Sequence, residues 1–381
     1  IDVQAATVDL PATYLIRPRP AAAIAEQDES RLVAAALKAQ RPMLLLGGGA
    51  RHASAEATAL ADAGFGIVTS TNGRAIVAED HAMSLGAFNI GPETQALYDA
   101  SDLLIIVGSR LRSNETLGYK MQFPQRTILI DCDPAAQGRC YATDDFICAD
   151  AKSALACLQR AAIGGVRPAP TFKEEIAAAR CTQIEKMRDG LGPYAELVDR
   201  IQGALPDDAV WVRDVTIANS VWGNRYLRFK GSRNGVHAVG GGIGQGAPMA
   251  VGAALGANGR RVVGLVGDGG TSLCLGELQT LVEERARATI ILMNDKGYGV
   301  IKNIQDVQYG ERRYYSDIET PDFAKICEGV GLPHTRVSSL PDFSPVFESA
   351  LKIDGPMMIE VDMTSIGPMR NKFAGPPKKT L

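Results

Sequence analysis

The sequence lacks long apolar runs, and it lacks the cysteine spacings of zinc sites. No apolar stretch approaches the roughly 18 residues that a membrane-spanning helix requires, so we expect no membrane span. The first residues have neither the basic start nor the apolar core of a signal peptide. The seven cysteines include no Cys-x-x-Cys pair. These absences favour a cytoplasmic protein with reduced thiols.

A charge excess of either sign is also missing. The chain has 40 lysines and arginines against 43 aspartates and glutamates, which gives a formal net charge of −3. Proteins that bind a polyanion usually carry a basic surface, so we expect no nucleic-acid partner. Only four histidines are present, and the sequence shows no Ser-His-Asp, zinc-ligand or paired-carboxylate glycosidase pattern. The common hydrolase mechanisms are therefore not supported.

The chain is rich in glycine and in short apolar runs that alternate with helical periods. Its 381 residues predict two to three domains at roughly 150 residues each. The alternation predicts parallel sheets covered by helices, and hence an α/β fold with two open parallel-sheet domains in series. The strand candidates are Met43–Leu46, Ile67–Thr69, Leu103–Val107, Thr127–Asp131, Phe146–Ala149, Val210–Arg213, Val236–Val239, Arg261–Val266, Thr289–Met293 and Met357–Val361. The helix candidates are Ser54–Ala63, Glu93–Ala100 and Phe172–Arg188.

Composition shifts suggest where these domains begin and end. Residues 1–30 are proline-containing and then polar, which is typical of a linker that enters a domain. We expect a middle α/β domain over residues 31–163. A Gly/Pro-rich bridge and a charged helix then form a connection over residues 164–192. The second domain is predicted over residues 193–381.

The most informative segment is a strand that runs into a glycine-rich turn. Gly267-Asp268-Gly269-Gly270 follows the apolar run that starts at Arg261. Glycines let a ligand approach the backbone N–H groups. A following helix, apolar at Leu275, Leu278 and Val282, presents its N-terminus to a phosphate. The turn therefore predicts an anion site that carries one carboxylate.

The next predicted strand ends at Asn294-Asp295. Neighbouring parallel strands lie about 4.8 Å apart, so Asp268 and an oxygen of Asn294 or Asp295 could share one cation if the strands pair. Oxygen ligands beside a phosphate indicate magnesium or calcium. The alternative is a simple tight turn together with a helix cap. Two polar strand ends one crossover apart favour the metal site.

These motifs resemble those of the thiamine-diphosphate-dependent enzymes that act on 2-oxo acids. That family carries Gly-Asp-Gly followed, after one crossover, by an Asn-rich turn, which stand here as Gly267-Asp268-Gly269 and Asn294-Asp295. The segments Arg41–Gly49, Gly73–Ala75 and Asp131–Pro134 resemble the family's middle domain, so the likeness covers nearly the whole chain. It implies a Rossmann-like middle domain followed by a thiamine-diphosphate-binding domain, with thiamine diphosphate and Mg²⁺ as cofactors.

The resemblance also implies a set of ligands. Asp268, Asp295 and the backbone carbonyl of Gly297 occupy the metal-ligand positions. The family usually has Asn at position 295, and the extra negative charge of Asp295 leaves Asn294 open as an alternative ligand. The positions that the resemblance places against the cofactor are Thr216, Gly240, Gly241, Gly242, Ile243, Gly267, Asp268, Gly269, Gly270, Thr271, Asp295, Gly297, Tyr298 and Gly299.

The resemblance implies catalytic roles for two residues. Ile243 corresponds to the bulky apolar residue that holds the cofactor bent, and this bend brings the amino group of the cofactor against the carbon that must lose a proton. His81 lies in a loop that resembles one facing the active site of benzoylformate decarboxylase. We therefore predict catalytic roles for Ile243 and His81.

A second glycine cluster, Gly47-Gly48-Gly49, follows the first predicted strand. It is similar to a dinucleotide-binding motif, but His52 occupies the place of the third glycine. We therefore expect no FAD in the middle domain, although some family members bind it there. A dinucleotide-dependent oxidoreductase is the least favoured class for the same reason.

The leading interpretation is a decarboxylase or carboligase of the benzoylformate decarboxylase kind. Gly241–Pro248 runs without the short insertion of acetolactate synthases, and Lys296–Ile301 resembles the decarboxylase turn. An acetolactate synthase-like carboligase is the alternative. A non-catalytic thiamine-diphosphate-binding protein is the alternative of another class.

The resemblance finally implies partners besides the 2-oxo acid substrate. Family members carry a pyrimidine-binding domain whose glutamate activates the cofactor, and the residues before Pro11 are too few to hold it. We expect that domain on another fragment or chain. Since the family's site forms between subunits, we expect a homodimer or homotetramer of the complete enzyme.

Overall fold

The computed structural model of the chain describes residues 21–238 and 240–375. Most of the predicted linker, residues 1–20, lies outside the described residues, and so does Val239 at the end of a predicted strand.

The first half of the chain folds around one parallel sheet. Its strands are buried, as a sheet covered on both faces requires, except for a partly exposed edge strand. The predicted strands of this half are confirmed to within one residue at each end. Across the sheet the strands lie in the order β2-β1-β3-β4-β5, with the bounds β1 (Pro42–Leu46), β2 (Gly66–Thr69), β3 (Leu103–Val107), β4 (Thr127–Asp131) and β5 (Asp145–Cys148).

The helices of this half are α1 (Glu26–Lys38), α2 (Ser54–Asp62), α3 (Pro92–Ala100) and α4 (Ala151–Ala162). Helix α1 begins at Glu26, so residues 26–30 at the end of the predicted linker are helical. Its first turn is acidic, and only Leu32 and Ala36 are fully buried. This narrow apolar face, which packs against α4, gave a weak helical pattern in the sequence.

A long helix, α5 (Phe172–Leu191), connects the two halves. It begins at the predicted residue and continues beyond the predicted end at Arg188. Gly192, with a φ of +58°, ends it, and Pro193 precedes the next helix. The predicted boundaries at residues 163 and 192 remain predictions.

The second half folds around a larger parallel sheet. Its order is β10-β11-β9-β8-β6-β7, with the bounds β6 (Val210–Arg213), β7 (Gly235–His237), β8 (Val262–Gly267), β9 (Ala288–Asn294), β10 (His334–Val337) and β11 (Met357–Asp362). Strand β10 was not predicted, because His334, Thr335 and Arg336 are polar residues on an edge strand that is only partly buried. The predicted fold, two parallel-sheet α/β units in series, is confirmed.

The helices of the second half lie between these strands in the chain. They are α6 (Tyr194–Ala204), α7 (Gly246–Gly256), α8 (Asp268–Ser272), α9 (Gly276–Glu283), α10 (Gly299–Tyr309), α11 (Phe323–Val330), α12 (Phe343–Ala350) and α13 (Met363–Ile366). Separate apolar clusters cover the sheet, one containing Trp211 and Leu265 and the other containing Val212 and Val266. Successive residues of β6 and β8 thus point into opposite clusters, as strand geometry requires.

This packing brings the carboxyl ends of β6, β8 and β9 to one edge of the sheet, which is where ligands bind in open α/β folds. Each of the seven cysteines is unpaired. Within residues 21–238 and 240–375, no helix combines the length and the apolar character that a bilayer span would need.

Candidate cofactor site

Strands β8 and β9 are hydrogen-bonded neighbours, with Gly267 opposite Met293. Asp268 follows β8 directly, and Asp295 follows β9 directly. The predicted pairing of these two strand ends is therefore present in the fold.

A cavity of about 370 Å³ opens at this edge of the sheet, and we call it the cofactor cavity. Most residues predicted to contact the cofactor line it. These are Thr216, Gly241, Ile243, Gly267, Asp268, Gly269, Gly270, Asp295, Gly297, Tyr298 and Gly299. Gly240 lines an adjoining cavity instead, whereas Gly242, Thr271, Asn294 and His81 are not part of the lining.

Two carboxyl groups face each other in the cofactor cavity. Asp268 is 1% exposed and interacts directly with the side chain of Asp295. Burial, reinforced by the charge of Asp268, raises the pKa of Asp295 to about 7, and burial also raises the pKa of Asp268. The backbone N–H of Gly297 donates to Asp268 Oδ2 at 2.9 Å. Asp268 is buried and Asp295 is half-buried. Two carboxyl groups this close repel each other when both are ionised, so the pair favours a bound cation.

The residues present fit a divalent metal ion with a phosphate beside it. Within the described ranges, no group of three or more His, Cys, Asp or Glu side chains could hold a metal. A metal at Asp268 and Asp295 would therefore complete its shell with backbone carbonyl, phosphate or water oxygens, which Mg²⁺ accepts. The buried Thr271 hydroxyl, next to this turn, has no hydrogen-bond partner among the described residues. Such an unsatisfied group is unusual unless a ligand completes it.

Close packing against polar side chains explains why two positions at this turn are glycine. A Cβ atom on Gly299 would lie 2.1 Å from Asp295 Oδ2, and one on Gly267 would lie 2.7 Å from Thr216 Oγ1. Both contacts are far shorter than any real Cβ contact, so the glycines let these polar side chains approach the turn.

The helix that follows the glycine turn differs from the prediction. A single helix containing Leu275, Leu278 and Val282 was expected to begin at the turn. The structure has the short helix α8 there, and α9 begins only at Gly276. Leu273 and Cys274 donate to the carbonyls of Gly270 and Thr271, three residues back, which tightens and ends α8. The N-terminus of α9 is therefore not the predicted phosphate site.

Asn294 points away from the cofactor cavity. Its Nδ2 donates to Glu360 Oε1 at 2.8 Å, and its Oδ1 accepts from the backbone N–H of Lys296 at 3.2 Å. Because successive residues at a strand end point to opposite faces, Asp295 faces the cavity while Asn294 does not. The geometry thus favours Asp295 over Asn294 as the metal ligand, and the ligand itself remains a proposal.

Glu360 is a buried residue that sequence reasoning missed. It is 1% exposed, and it accepts hydrogen bonds from Asn294, from His334 at 2.9 Å and from Arg336 at 3.1 Å. These contacts hold the end of β9 and so the turn that carries Asp295. The available signal was a single carboxylate inside the apolar run Met357–Val361.

Asp214 was also missed, although it follows a predicted strand. Its Oδ1 accepts from the backbone N–H of Val215 at 2.7 Å and its Oδ2 from that of Gly244 at 3.0 Å. Burial raises the pKa of this carboxyl group. Asp214 therefore fastens the loop that carries Ile243 to the end of β6.

Ile243 extends into the cofactor cavity with 37% of its surface exposed. The chain turns sharply on either side of it, with φ of +74° at Gly241 and +81° at Gly244. A large apolar side chain held partly in the open by a glycine loop is suited to contact a ligand.

The structure does not bring His81 to the lining of the cofactor cavity. Its Nε2 lies 3.0 Å from Asp62 Oδ1, and its Nδ1 accepts from the backbone N–H of Met83 at 3.1 Å. His81 therefore has local structural partners, and its predicted catalytic role gains no support from this geometry.

The glycines after β1 are explained by packing within the chain. A Cβ atom on Gly47 would lie 2.2 Å from the carbonyl oxygen of Gly108, in the loop after β3. The predicted absence of FAD is not tested by this contact. The contact does show that the glycine pattern needs no dinucleotide to account for it.

A parallel α/β sheet that brings two carboxylates and a glycine turn into one cavity at its carboxyl edge is typical of proteins that bind a phosphorylated cofactor. Residues 30–158 match the family described as "Thiamine pyrophosphate enzyme, central domain". Residues 218–361 match "Thiamine pyrophosphate enzyme, C-terminal TPP binding domain". The chain belongs to the thiamine pyrophosphate enzyme family, of which it carries the central and the C-terminal domain.

Curated relatives are identical to this chain at about a quarter of the aligned positions. The "Probable acetolactate synthase large subunit" of Methanocaldococcus jannaschii is 27% identical over 342 residues, covering 85% of this chain and 58% of that protein. The pyruvate oxidase of Lactiplantibacillus plantarum is 27% identical over 355 residues, covering 90% of this chain and 58% of that protein. The acetolactate synthase isozyme 1 large subunit of Escherichia coli is 27% identical over 372 residues, covering 94% and 65%. The chain thus spans 58% to 65% of the length of these relatives.

We expect Asp295→Ala to lower Mg²⁺ affinity by about tenfold or more, since it removes a charged oxygen ligand. Asn294→Ala should change that affinity by less than about threefold, but it should lower the melting temperature because Glu360 loses a buried donor. Calorimetric titration of Mg²⁺ and thermal unfolding of the complete enzyme measure both effects. The opposite ranking of the two affinities would identify Asn294 as the ligand.

Proposed function

We propose that this chain is the central and diphosphate-binding part of a thiamine-diphosphate-dependent enzyme that joins two 2-oxo acids with loss of CO₂. The observation that carries the proposal is the pair Asp268 and Asp295 in a glycine-lined cavity at the carboxyl edge of the sheet. Family membership supports the cofactor. The names of relatives support carboligation of the acetolactate synthase kind.

The sequence alone favoured benzoylformate decarboxylase-like activity, with carboligation as the alternative. The relatives described above support the alternative better, because two of them are named acetolactate synthase and one is named pyruvate oxidase. Decarboxylation of a 2-oxo acid remains part of the proposed reaction, since carboligation begins with it.

We assign the metal to the carboxylates of Asp268 and Asp295 and to the backbone carbonyl of Gly297. The diphosphate would lie against the glycine turn, beside the backbone N–H groups of Gly269 and Gly270. The hydroxyl of Thr271, which has no partner among the described residues, follows behind this turn. Metal and diphosphate would then bind as one unit, because each compensates the charge of the other.

Thiamine diphosphate, when bound, supplies the electron sink that lets the bond between the carboxylate and the carbonyl carbon break. The residues of this chain would bind the cofactor and position its rings. Gly240, Gly241 and Gly242 would lie beside the aminopyrimidine ring, and Ile243 would support the bend between the two rings. Asp214 holds that loop in place through the N–H of Gly244.

From the resemblance we further propose that a pyrimidine-binding domain of another chain completes the site, within a homodimer or homotetramer. Its glutamate would exchange a proton with the cofactor ring. General acid–base catalysis of this kind contributes roughly 10²- to 10⁴-fold to a rate.

The complete enzyme, supplied with Mg²⁺ and thiamine diphosphate, should release CO₂ from a 2-oxo acid at about 1 to 10³ s⁻¹. A coupled CO₂ assay measures the rate, and mass spectrometry of the products separates a ligated hydroxy-oxo acid from a free aldehyde. Free aldehyde as the only product would restore the decarboxylase interpretation. Tight cofactor binding without CO₂ release from any 2-oxo acid would identify a non-catalytic binding protein instead.

A further inference from the structure

A second cavity of about 410 Å³ adjoins the cofactor cavity and lies between the two halves of the chain. The two cavities share Val215, Gly241 and Val300 as lining residues. The second cavity is also lined by Gly240, so it lies at the end of the cofactor cavity where the proposed function places the cofactor rings. We call it the side-chain cavity, for the role argued below.

The side-chain cavity carries more positive than negative charge. Arg112 and Arg225 line it, and Glu115 is its one acidic lining residue. Glu115 already accepts from the hydroxyl of Thr71 at 2.9 Å and lies 3.4 Å from Arg112. Arg213 lies behind the wall at 1% exposure, where its guanidinium contacts Asn224 and the carbonyl of Thr71.

Arg225 has no salt bridge within the described part of the chain. Its Nε donates to the carbonyl of Ala87 at 3.2 Å. Burial lowers the pKa of Arg225 to about 10, so the side chain is still charged at neutral pH. Arg225 is half-buried, and the charge of Glu115 acts on it without forming a salt bridge. A partly buried cation without a carboxylate at contact distance is costly to the fold, and anion recognition is a common reason to keep one.

Two further polar groups in this cavity lack partners. Asn219 is 2% exposed, and its Oδ1 makes no hydrogen bond with any described residue. His237 Nδ1 is buried and also without a partner there. Burial and the charge of Arg213 lower the pKa of His237 to about 4, so its ring is neutral at pH 7 and can donate or accept one hydrogen bond. Unsatisfied buried groups beside a cavity indicate that a ligand provides the missing hydrogen bonds.

We propose that the side-chain cavity binds the side chain of the 2-oxo acid substrate and that this side chain ends in an anionic group held by Arg225. This inference rests on the proposed function and deepens it, because it names the class of substrate. A carboxylate at the end of the side chain would pair with Arg225 and accept a hydrogen bond from His237 Nδ1 in the tautomer that carries the proton there. The Oδ1 of Asn219 accepts, so its partner would be a donor, such as a water molecule bound with the substrate. The methyl group of pyruvate would leave the charge of Arg225 without a counter-ion and His237 Nδ1 without a hydrogen-bond partner in a cavity of about 410 Å³.

The test compares two substrates of equal backbone length, 2-oxoglutarate with an anionic end and 2-oxopentanoate with a methyl end. We expect the complete enzyme to prefer 2-oxoglutarate by about tenfold or more in kcat/KM for CO₂ release. Each substrate is supplied alone and at low concentration. Under these conditions the rate depends on the side chain of the 2-oxo acid that loses CO₂, and not on the carboxylate of a second molecule that acts as the acceptor. Equal rates, or a preference for 2-oxopentanoate, would overturn the proposal while leaving the proposed function in place.

Variants of Arg225 test whether this residue is responsible for the preference for 2-oxoglutarate. Arg225→Gln should reduce the preference ratio by about tenfold, and Arg225→Lys should restore part of it, because the charge is kept and the planar fork is lost. The matched control is Arg228→Gln, which changes an exposed arginine three residues on and should leave the ratio unchanged. An unchanged ratio in folded Arg225→Gln would overturn the assignment of this residue. Absence of CO₂ from every 2-oxo acid would refute the proposed function and this inference with it.

Discussion

Replacing Asp268 by asparagine is expected to weaken the joint binding of Mg²⁺ and thiamine diphosphate by more than about 10²-fold. Removing one member of a buried charge pair costs about 3–5 kcal/mol, and each 1.4 kcal/mol is a factor of ten in affinity. Asp268 is the more deeply placed of the two carboxylates, at 1% exposure, and it also accepts the N–H of Gly297. The change therefore disturbs both the metal and the backbone of the turn that carries its second ligand.

The same substitution should have the opposite effect on the metal-free protein. Without a cation, Asp268 and Asp295 face each other at this site. Burial raises the pKa of both carboxyl groups, and the charge of Asp268 raises the pKa of Asp295 further. An amide at position 268 removes one of the two charges, so the melting temperature in the presence of a chelator should stay constant or rise. A structural carboxylate with no metal would behave differently, because its loss would lower stability with and without Mg²⁺.

Calorimetry of the complete enzyme measures the affinity, and thermal unfolding with and without a chelator measures the stability. Asp207→Asn is a suitable control, because Asp207 is an exposed carboxylate whose salt-bridge partner among the described residues is the surface residue Lys230. It should change neither quantity. Undiminished cofactor affinity in Asp268→Asn would remove the basis of the proposed metal site.

Buried strands were the part of the fold that could be predicted best. The bounds of β3, β4 and β6 agree with the predicted ones, because each is an apolar run that ends at a polar or glycine residue. Helix α1 and strand β10 were missed for the converse reason. Each presents a polar surface to solvent and buries only part of its residues, so tertiary contacts, rather than local pattern, decide its structure.

At the candidate site, parallel topology was enough to predict that Asp268 and the end of β9 lie together. The choice between Asn294 and Asp295 could not be made, because a shift of one residue at a strand end turns the side chain to the other face. Glu360, which binds Asn294 on that other face, lies on a strand far along the chain. Such a contact has no local signal in a single sequence.

The side-chain cavity could not be predicted from the sequence, for a related reason. Arg112 comes from the first half of the chain, whereas Asn219, Arg225 and His237 come from three places in the second half. The segment Asn219–Gly223 is a π-helix, a rare form that often occurs at functional sites. The partners of these residues depend on how the halves pack, which periodicity does not reveal.

Ile243→Ala should slow exchange of the C2 proton of bound thiamine diphosphate on the order of 10²-fold, because a displacement of about 1 Å between reacting groups costs that much in rate. The fold itself should be little affected. Ile243 is already 37% exposed, so its truncation removes little buried surface, and a change below about 1 kcal/mol in unfolding free energy is expected. A large effect on exchange with a small effect on stability separates a residue that positions the cofactor from one that only fills the core.

Exchange is measured by rapid quenching in deuterated buffer followed by NMR of the cofactor, in the complete enzyme with Mg²⁺. Leu255→Ala is the matched control, since Leu255 is also a large apolar residue, 58% exposed, at the end of α7 rather than in the cavity. Equal rates of C2 proton exchange in Ile243→Ala and Leu255→Ala would mean that Ile243 only supports the glycine loop and does not position the cofactor. If stability falls by several kcal/mol in Ile243→Ala, the exposed position of this side chain is not kept in the complete enzyme, and its role is to pack against another subunit.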